Sequence, residues 1–217
     1  MGIRIFVTAT NTAVGKTYTT CRLMEKAYQK GWVPAAIKPI ETGVGREGPA
    51  DGRLLLQTMK KLNPSTRAMV LEEIVPYRFS MPASPFVAKK EKSVSMDRIQ
   101  ERIERLASSC DILFIEGAGG LMVPIDERTF MIDLPKRFGA RTLLLGPSRL
   151  GSINDTLLSM EALRSREIAF DLAINLYEEA ESFETITRPF YRAQKIAHYL
   201  FPKEIDRYLD DLIGQDG

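Results

Sequence analysis

The sequence predicts an α/β fold in which residues 1–217 form one domain, a doubly wound and mostly parallel sheet flanked by helices. At least five short apolar runs alternate with segments of helical character. This alternation is typical of parallel sheets that are covered by helices on both faces. The length of 217 residues, with 44% hydrophobic and 27% charged residues, suits a single globular domain of this kind.

The composition argues against several classes of function. The 30 basic and 28 acidic residues leave a net charge of +2, which favours neither nucleic acid nor an acidic membrane as a partner. Cys21 and Cys110 are too few for a cysteine metal site or a disulfide framework, and we expect both to pack as small apolar residues. The single histidine, His198, leaves no basis for histidine-based zinc or triad chemistry. The chain shows no signal peptide and no apolar run of about 18 residues, so we expect a cytoplasmic location.

The first strand, Ile3–Val7, leads into a loop that reads T-N-T-A-V-G-K-T and then into a helix from Thr17 to about Lys30. A strand, a tight loop and a helix are the context in which Gly-Lys-Thr binds phosphate. The loop differs by one letter from the pattern G-x-x-x-x-G-K-[ST], because Thr10 stands at the first glycine position. The alternative is a chance Gly-Lys-Thr at a helix start.

The residue types of this loop suit a triphosphate. Backbone N–H groups at a helix N-terminus point at one spot, and the helix dipole adds positive potential there. Gly15 allows the backbone to approach a phosphate closely, and Lys16 supplies a positive charge for the β- and γ-oxygens. Thr17 offers a hydroxyl to Mg²⁺. We therefore predict a nucleotide-binding loop of the phosphate-loop NTPase type.

Lys38 is the next candidate. Val33–Lys38 reads as the second strand, and Pro39 ends it, so Lys38 lies at the carboxyl edge of the sheet, where open α/β sheets bind ligands. A solvated surface lysine is the plainer alternative. The apolar strand before it and the proline after it favour a functional role.

Three segments follow before the next central strand. After the Gly-rich loop Ile40–Gly45, we expect a helix over Asp51–Leu62 with Asp51 as its N-cap, a role compatible with metal binding. Residues 76–85 contain too many prolines for a helix or a central strand, so they form an ordered loop or an edge. An amphipathic helix, capped by Ser95, is predicted from Met96 to about Ser108.

Glu116 is the second anchor of the predicted site. Asp111–Glu116 contains four consecutive apolar residues and ends in an acid that glycine residues follow. Such a run indicates a central strand covered on both faces. An acid at the end of this strand matches the Walker-B position, which completes the Mg²⁺ site of phosphate-loop enzymes.

The remaining segments complete the predicted sheet. Arg141–Gly146 and Ala169–Asn175 read as strands, and a helix from about Gly151 to Arg164 lies between them. The Gly-Ser start of that helix serves either as plain capping or as a second anion site. Two amphipathic helices, around Thr187–Leu200 and Lys203–Ile213, are expected to end the chain.

With these residues placed, the sequence resembles the dethiobiotin synthetase family over most of its length up to about Asn175. Five stretches carry the resemblance, and they are Phe6–Thr17, Lys38-Pro39 with Thr42-Gly43, Asp51, Glu116–Gly120 and Leu150–Asn154. The family also explains Thr10, because its loop begins Gly-Thr or Ala-Thr.

The resemblance implies a reaction. Members convert 7,8-diaminopelargonate, CO₂ or bicarbonate, and ATP with Mg²⁺ into dethiobiotin, ADP and phosphate in biotin biosynthesis. A carbamate forms on one amine and receives the γ-phosphate, and the second amine then closes the cyclic urea. Members are homodimers with the substrate near the interface, and neither nucleic acid nor membrane is implied as a partner.

The resemblance also implies roles for particular residues. Lys16 and Lys38 would be catalytic, and Thr17, Asp51 and Glu116 would bind Mg²⁺. The nucleotide and its metal would contact Thr12, Ala13, Val14, Gly15, Lys16, Thr17, Tyr18, Asp51, Glu116, Gly117, Ala118, Gly119 and Asn175. The diamine and its carbamate would contact Thr12, Lys38, Thr42 and Gly119, together with Gly151, Ser152 and Asn154 of a neighbouring subunit.

The chain departs from the family at three places. An acidic residue often stands where this chain has Ala13, and further polar residues often follow the position of Asn175, where this chain has Leu176 and Tyr177. No counterpart of the usual C-terminal Gly-Glu-Ile-Pro-like stretch is recognisable, so the resemblance does not reach the last segment of the chain.

Two other classes share the predicted fold. A switch ATPase of the partitioning or cell-division type would carry an extra lysine early in the loop, and Thr10–Ala13 contains none. An amidating cobyrinate synthase would need a glutamine-hydrolysing domain with a nucleophilic cysteine, and the chain is too short to hold one.

Overall fold

A computed structural model describes residues 2–177 and 179–214. Among these residues the strands are β1 (Ile3–Ala9), β2 (Pro34–Ile37), β3 (Ile40–Thr42), β4 (Tyr77–Phe79), β5 (Ile112–Glu116), β6 (Arg141–Pro147), β7 (Phe170–Asn175) and β8 (Tyr199–Phe201). The helices are α1 (Lys16–Gln29), α2 (Ala50–Leu62), α3 (Leu71–Ile74), α4 (Pro85–Ala88), α5 (Met96–Ala107), α6 (Leu134–Arg137), α7 (Ser152–Arg164), α8 (Ala180–Ser182), α9 (Arg188–Ala193) and α10 (Ile205–Gly214). A π-helical turn, Phe183–Thr187, joins α8 to α9.

Six strands form one sheet in the order β2-β5-β1-β6-β7-β8, and each neighbouring pair is parallel. The predicted doubly wound parallel sheet is therefore confirmed. Parallel strands end at the same edge of a sheet, so the residues that follow β1, β2, β5 and β7 meet there. A separate parallel pair, β3 and β4, lies on the path between β2 and α5.

The buried side chains form two clusters, as a sheet covered on both faces requires. Successive residues of β6 divide between the clusters, because strand side chains point alternately to opposite faces. Leu143 and Leu145 belong to the larger cluster, and Leu144 belongs to the smaller one. Residues 112–116 of β5 are all buried, which agrees with the central position predicted for this strand.

The C-terminal segment corrects one expectation. A helix over Thr187–Leu200 was expected, but α9 ends at Ala193, and residues 199–201 form the edge strand β8 beside β7. Three residues are too few to show a strand period in the sequence, and the pairing with β7 decides their conformation. His198 packs against Tyr191 with ring centroids 5.3 Å apart.

The last helix, α10, docks against α1, the helix that follows the phosphate loop. Tyr208, Leu209 and Leu212 bury its apolar face. Two exposed ion pairs accompany this contact, Lys26 with Asp206 at 2.9 Å and Lys30 with Asp210 at 2.6 Å. Exposed pairs of this kind contribute at most about 1 kcal/mol each, so the apolar face provides most of the docking energy. Within residues 2–177 and 179–214, no helix is long and apolar enough to cross a membrane.

Candidate active site

The phosphate loop lies between β1 and α1, and its backbone requires glycine at residue 15. Gly15 has φ +88°, a conformation that other residues rarely adopt, and a Cβ at this position would lie 2.4 Å from Asn175 Nδ2. The Asn175 side-chain amide donates a hydrogen bond to the Val14 carbonyl at 2.9 Å. The Tyr177 hydroxyl donates to the Ala13 carbonyl at 2.7 Å. The last residue of β7 and the turn after it therefore support the loop.

Lys16 is held across the mouth of the loop. Its Nζ donates to the carbonyls of Gly119 at 2.8 Å and Asn11 at 3.2 Å. Burial, reinforced by the charge of Lys38, lowers the pKa of Lys16 to about 8, although the carboxylates of Glu116 and Asp51 oppose this shift. A lysine that bonds only neutral carbonyls keeps its charge available for an anion.

Lys38, by contrast, is paired with two carboxylates. Its Nζ lies 2.6 Å from Glu116 Oε1 and 2.6 Å from Asp51 Oδ2, so these two acids lie within twice that distance of each other. Lys38 is 3% exposed and Glu116 is 0% exposed. Burial alone would lower the pKa of Lys38, but the two carboxylates outweigh it and the pKa is raised. Burial would likewise raise the pKa of Asp51, and Lys38 holds it below its usual value.

Thr17, Asp51 and Glu116, the three residues for which the resemblance implies metal binding, lie together at this point. The Thr17 hydroxyl donates to Glu116 Oε1 at 2.7 Å. Glu116 Oε2 is buried and finds no hydrogen-bond partner in the part of the chain that the structure describes. A buried carboxylate oxygen without a partner is costly, and Mg²⁺ prefers such oxygen ligands.

The oxygen donors of these three residues suit Mg²⁺ better than a metal that needs all of its ligands from protein. Across residues 2–177 and 179–214, no group of three or more histidine, cysteine, aspartate or glutamate residues could hold a metal ion. Mg²⁺ usually takes one or two carboxylates from the protein and fills its other positions with phosphate oxygens and waters. Two carboxylates and one hydroxyl beside a phosphate loop match this preference.

A cavity of about 710 Å³ opens above the lysine–carboxylate cluster. Its lining combines the phosphate loop, the start of α2 and the loop after β5. The lining residues are Thr12, Ala13, Gly15, Lys16, Thr17, Tyr18, Lys38, Glu41, Thr42, Asp51, Ala118, Gly119, Asn175 and Tyr177. Most of the predicted nucleotide and diamine contacts thus share one cavity. Val14, Glu116 and Gly117 are outside the lining, and the first two are buried next to it.

The predicted residues Gly151, Ser152 and Asn154 do not reach this cavity within one chain. They lie at the start of α7, where Gly151 adopts φ +87° and Ser152 is fully buried. The surface beside them is apolar, with Leu150 75%, Leu158 64% and Met122 50% exposed.

Two residues of the cavity escaped the sequence reasoning, Glu41 and Tyr177. The Glu41 carboxylate accepts hydrogen bonds from Asp51 N at 3.1 Å and Gly52 N at 2.9 Å. The expectation that Asp51 is the N-cap of α2 is therefore wrong, because α2 begins at Ala50, after Pro49. Glu41 lies three residues after Lys38, and an acid in that Gly-rich loop was the available signal.

The chain shares its fold with several proteins of known structure and low sequence identity. The hydrogenase maturation factor HypB from Archaeoglobus fulgidus superposes with a TM-score of 0.58 at 16% identity, over 98% of this chain and 89% of that one. The MinD cell division protein from Aquifex aeolicus gives 0.53 at 16% identity, over 94% and 85%. At this identity the likeness concerns the fold alone.

Sequence comparison is more specific. A family model described as an AAA domain matches residues 3–195. Proteins named ATP-dependent dethiobiotin synthetase BioD are 52% identical in Sulfurovum sp. (87% of this chain, 90% of the relative) and 41% identical in Wolinella succinogenes (97% and 98%). A third, from Helicobacter pylori, is 33% identical over 86% and 87%. The Wolinella alignment spans 213 residues, so the similarity extends beyond Asn175 into the C-terminal segment, where none was expected.

Proposed function

The chain belongs to the AAA-domain family and, within it, to the ATP-dependent dethiobiotin synthetases, and from this premise we propose how its own residues carry out the reaction. The enzyme closes the ureido ring of dethiobiotin in biotin biosynthesis at the expense of ATP. The single observation that carries the proposal is the cluster in which Lys38 bridges Glu116 and Asp51 beside the phosphate loop. The cavity of about 710 Å³ above this cluster has room for a nucleotide and a small diamine.

The triphosphate is bound by the N–H groups of residues 12–18 and by Lys16. Among the described residues Lys16 bonds only two carbonyl oxygens, so it can turn to a phosphate without leaving a buried carboxylate unpaired. Phosphoryl transfer depends mainly on positioning and on stabilising charge as it develops. Lys16 and Lys38, on opposite sides of the reacting groups, provide this stabilisation without an acid–base histidine.

Thr17, Asp51 and Glu116 hold Mg²⁺ in this proposal. When bound, the metal would supply positive charge that stabilises the transferring phosphoryl group. The chain contributes the unpartnered Glu116 Oε2 and the Asp51 carboxylate, whose lowered pKa keeps it ionised. Lys38 fixes both acids on one side of the cavity.

The diamine and its carbamate lie against Thr12, Lys38, Thr42 and Gly119. Thr12, Thr42 and Gly119 line the same cavity as Lys38, so a carbamate bound there would contact the Lys38 ammonium group. The substrate carboxylate is received by the α7 start of a second subunit, formed by Gly151, Ser152 and Asn154. Ser152 is buried, so backbone groups provide this contact.

A homodimer is part of the proposal. The exposed apolar side chains of Leu150, Leu158 and Met122, next to the α7 start, are the surface that a second subunit would cover. A cytoplasmic location is proposed with it, in keeping with a reaction that consumes ATP and a small metabolite.

The direct test is the reaction itself. We expect purified enzyme with 7,8-diaminopelargonate, bicarbonate and MgATP to produce dethiobiotin, detected by its mass, with one ADP per product. Omission of the diamine should suppress ADP formation. Steady ATP hydrolysis that is independent of the diamine would instead indicate a switch ATPase.

A further inference from the structure

We propose that Glu41 is a positioning residue for the reaction, which acts by fixing the first turn of α2 so that Asp51 faces Lys38 and Thr17. This inference rests on the proposed function, because it assumes that Asp51 binds the metal. Glu41 lies in the middle of β3 and is 6% exposed. Its two carboxylate oxygens accept from the backbone N–H groups of Asp51 and Gly52 at 3.1 and 2.9 Å.

The first turn of α2 needs this acceptor. The first N–H groups of a helix have no partner within the helix, and a side chain at the N-cap position usually accepts from the second or third of them. Here the N-cap position is Pro49, which offers no side-chain acceptor. Asp51 and Gly52 are the second and third residues of α2, so Glu41 takes the place of the missing cap from another strand. An ionised acceptor at a helix N-terminus also interacts favourably with the helix dipole.

Apart from its polar contacts with Lys38 and Thr17, the Asp51 side chain has little packing to hold it. Its side chain is 44% exposed, so packing restricts its carboxylate only weakly. The adjacent Gly52 is wedged against Val75, since a Cβ at Gly52 would lie 2.2 Å from Val75 Cγ2. Glu41 on one side and Val75 on the other therefore set the backbone of this turn, and the backbone in turn aims the Asp51 carboxylate.

The same segment places the partner of Asp51. Lys38 stands three residues before Glu41, and Lys38 N donates to the Ile74 carbonyl at 2.9 Å. β3 is fixed by pairing with β4 in the register Glu41 opposite Arg78. One short segment thus positions the ammonium of Lys38 directly and the carboxylate of Asp51 through α2. Residues that orient a metal ligand typically change metal affinity about 10- to 100-fold when they are replaced.

The first test measures Mn²⁺ binding, as a probe of the Mg²⁺ site, by electron paramagnetic resonance on enzyme saturated with a non-hydrolysable ATP analogue. We expect Glu41→Gln to weaken Mn²⁺ binding about tenfold. Asp133→Asn is the matched control, because Asp133 also accepts from a backbone N–H at the start of a helical turn, that of Phe130 at 2.8 Å, just before α6 and outside the cavity lining. We expect the control to keep Mn²⁺ affinity within about twofold. Unchanged affinity in Glu41→Gln would overturn the proposal.

A rescue variant separates positioning from direct chemistry. Pro49→Asp places a carboxylate at the N-cap of α2, where it can accept from Asp51 N and Gly52 N. Added to Glu41→Gln, it should restore both the melting temperature and the Mn²⁺ affinity, and it also provides a folded background if Glu41→Gln alone is unstable. Restored melting without restored affinity would mean that the Glu41 carboxylate acts on the metal itself, which contradicts a positioning role.

Asp51→Asn distinguishes failure of this inference from failure of the proposed function. If Glu41 acts through Asp51, the variant that combines Glu41→Gln with Asp51→Asn should bind Mn²⁺ no more weakly than Asp51→Asn alone. If the double variant instead loses Mn²⁺ affinity by the product of the two single-variant factors, the inference is refuted. Wild-type Mn²⁺ affinity in Asp51→Asn would refute the proposed metal site instead.

Discussion

Replacing Lys38 should affect stability as well as catalysis. Glu116 is 0% exposed, and its charge-neutralising partner is the Lys38 ammonium at 2.6 Å. Lys38→Met keeps most of the side-chain volume but leaves Glu116 as a buried charge without a cation. Removing one partner of a buried pair costs about 3–5 kcal/mol, and we take about 3 kcal/mol because the other acid, Asp51, is 44% exposed and can be solvated.

This free-energy loss converts into a measurable melting shift. In a chain of this size, 1 kcal/mol corresponds to about 2–4 °C, so Lys38→Met should melt about 6–12 °C below the wild type in EDTA. The ligation rate should fall about 10²- to 10³-fold, as expected for loss of a preorganised charge.

Two further variants test the reasoning by calorimetry under the same conditions. Lys38→Met combined with Glu116→Gln removes the buried charge and should recover most of the melting temperature without recovering activity. Lys16→Met is the matched control, because the bonds of Lys16 within residues 2–177 and 179–214 go to carbonyl oxygens, and it should melt close to the wild type while losing ligation. If Lys38→Met melts within about 2 °C of the wild type, or the double variant melts as low as the single one, the charge argument fails.

Three other predictions concern the metal, the pH profile and the base. Glu116→Gln should leave nucleotide binding measurable in EDTA by calorimetric titration but abolish the Mg²⁺ enhancement, and a retained enhancement would exclude Glu116 as a ligand. Because the pKa of Lys16 is lowered to about 8, kcat/KM for ATP should fall as the pH rises through about 8, and Lys16→Arg should remove that decline; the same decline in Lys16→Arg would point to another group. Stability should change in the opposite direction. The folded-state pKa of Lys16 is about 8 and the unfolded-state pKa is near 10.5, so the free energy of unfolding should rise as the pH increases between these two values, because the folded protein no longer carries the buried charge. Melting measured as a function of pH can detect this rise. The Asn175 side-chain amide donates its N–H to the Val14 carbonyl, and its buried oxygen has no partner among the described residues, so one side-chain acceptor is available to a base. GTP or CTP should therefore support ligation within about 10- to 100-fold of ATP in kcat/KM. A preference for ATP beyond about a thousandfold would reveal further base contacts.

The parts of the fold that the sequence could predict are those in which local pattern and burial agree. β1, β5, β6 and β7 are long apolar runs, and each lies within two residues of its predicted bounds. The helix α5 begins after Ser95, whose hydroxyl accepts from Arg98 N as a cap should. β8 was missed because its three residues acquire their conformation from pairing with β7, which no local pattern encodes.

In the candidate site, too, local sequence pattern predicts some residues, whereas other contacts depend on how distant segments pack. Lys16, Lys38 and Glu116 could be proposed from sequence because each stands at the end of a predicted strand or loop, and strand ends converge at one edge of a parallel sheet. That Lys38 pairs with both acids, while Lys16 pairs with neither, depends on side-chain distances that strand order alone does not determine. Glu41 shows the limit most clearly. A carboxylate ten residues before Asp51 can be a cap only after β3 and the start of α2 have been brought together, and an unsuitable local residue, Pro49, was the one sequence sign that the cap had to come from elsewhere. A helix that begins at a catalytic position without a capping side chain of its own is therefore a reason to search distant acids for the missing acceptor.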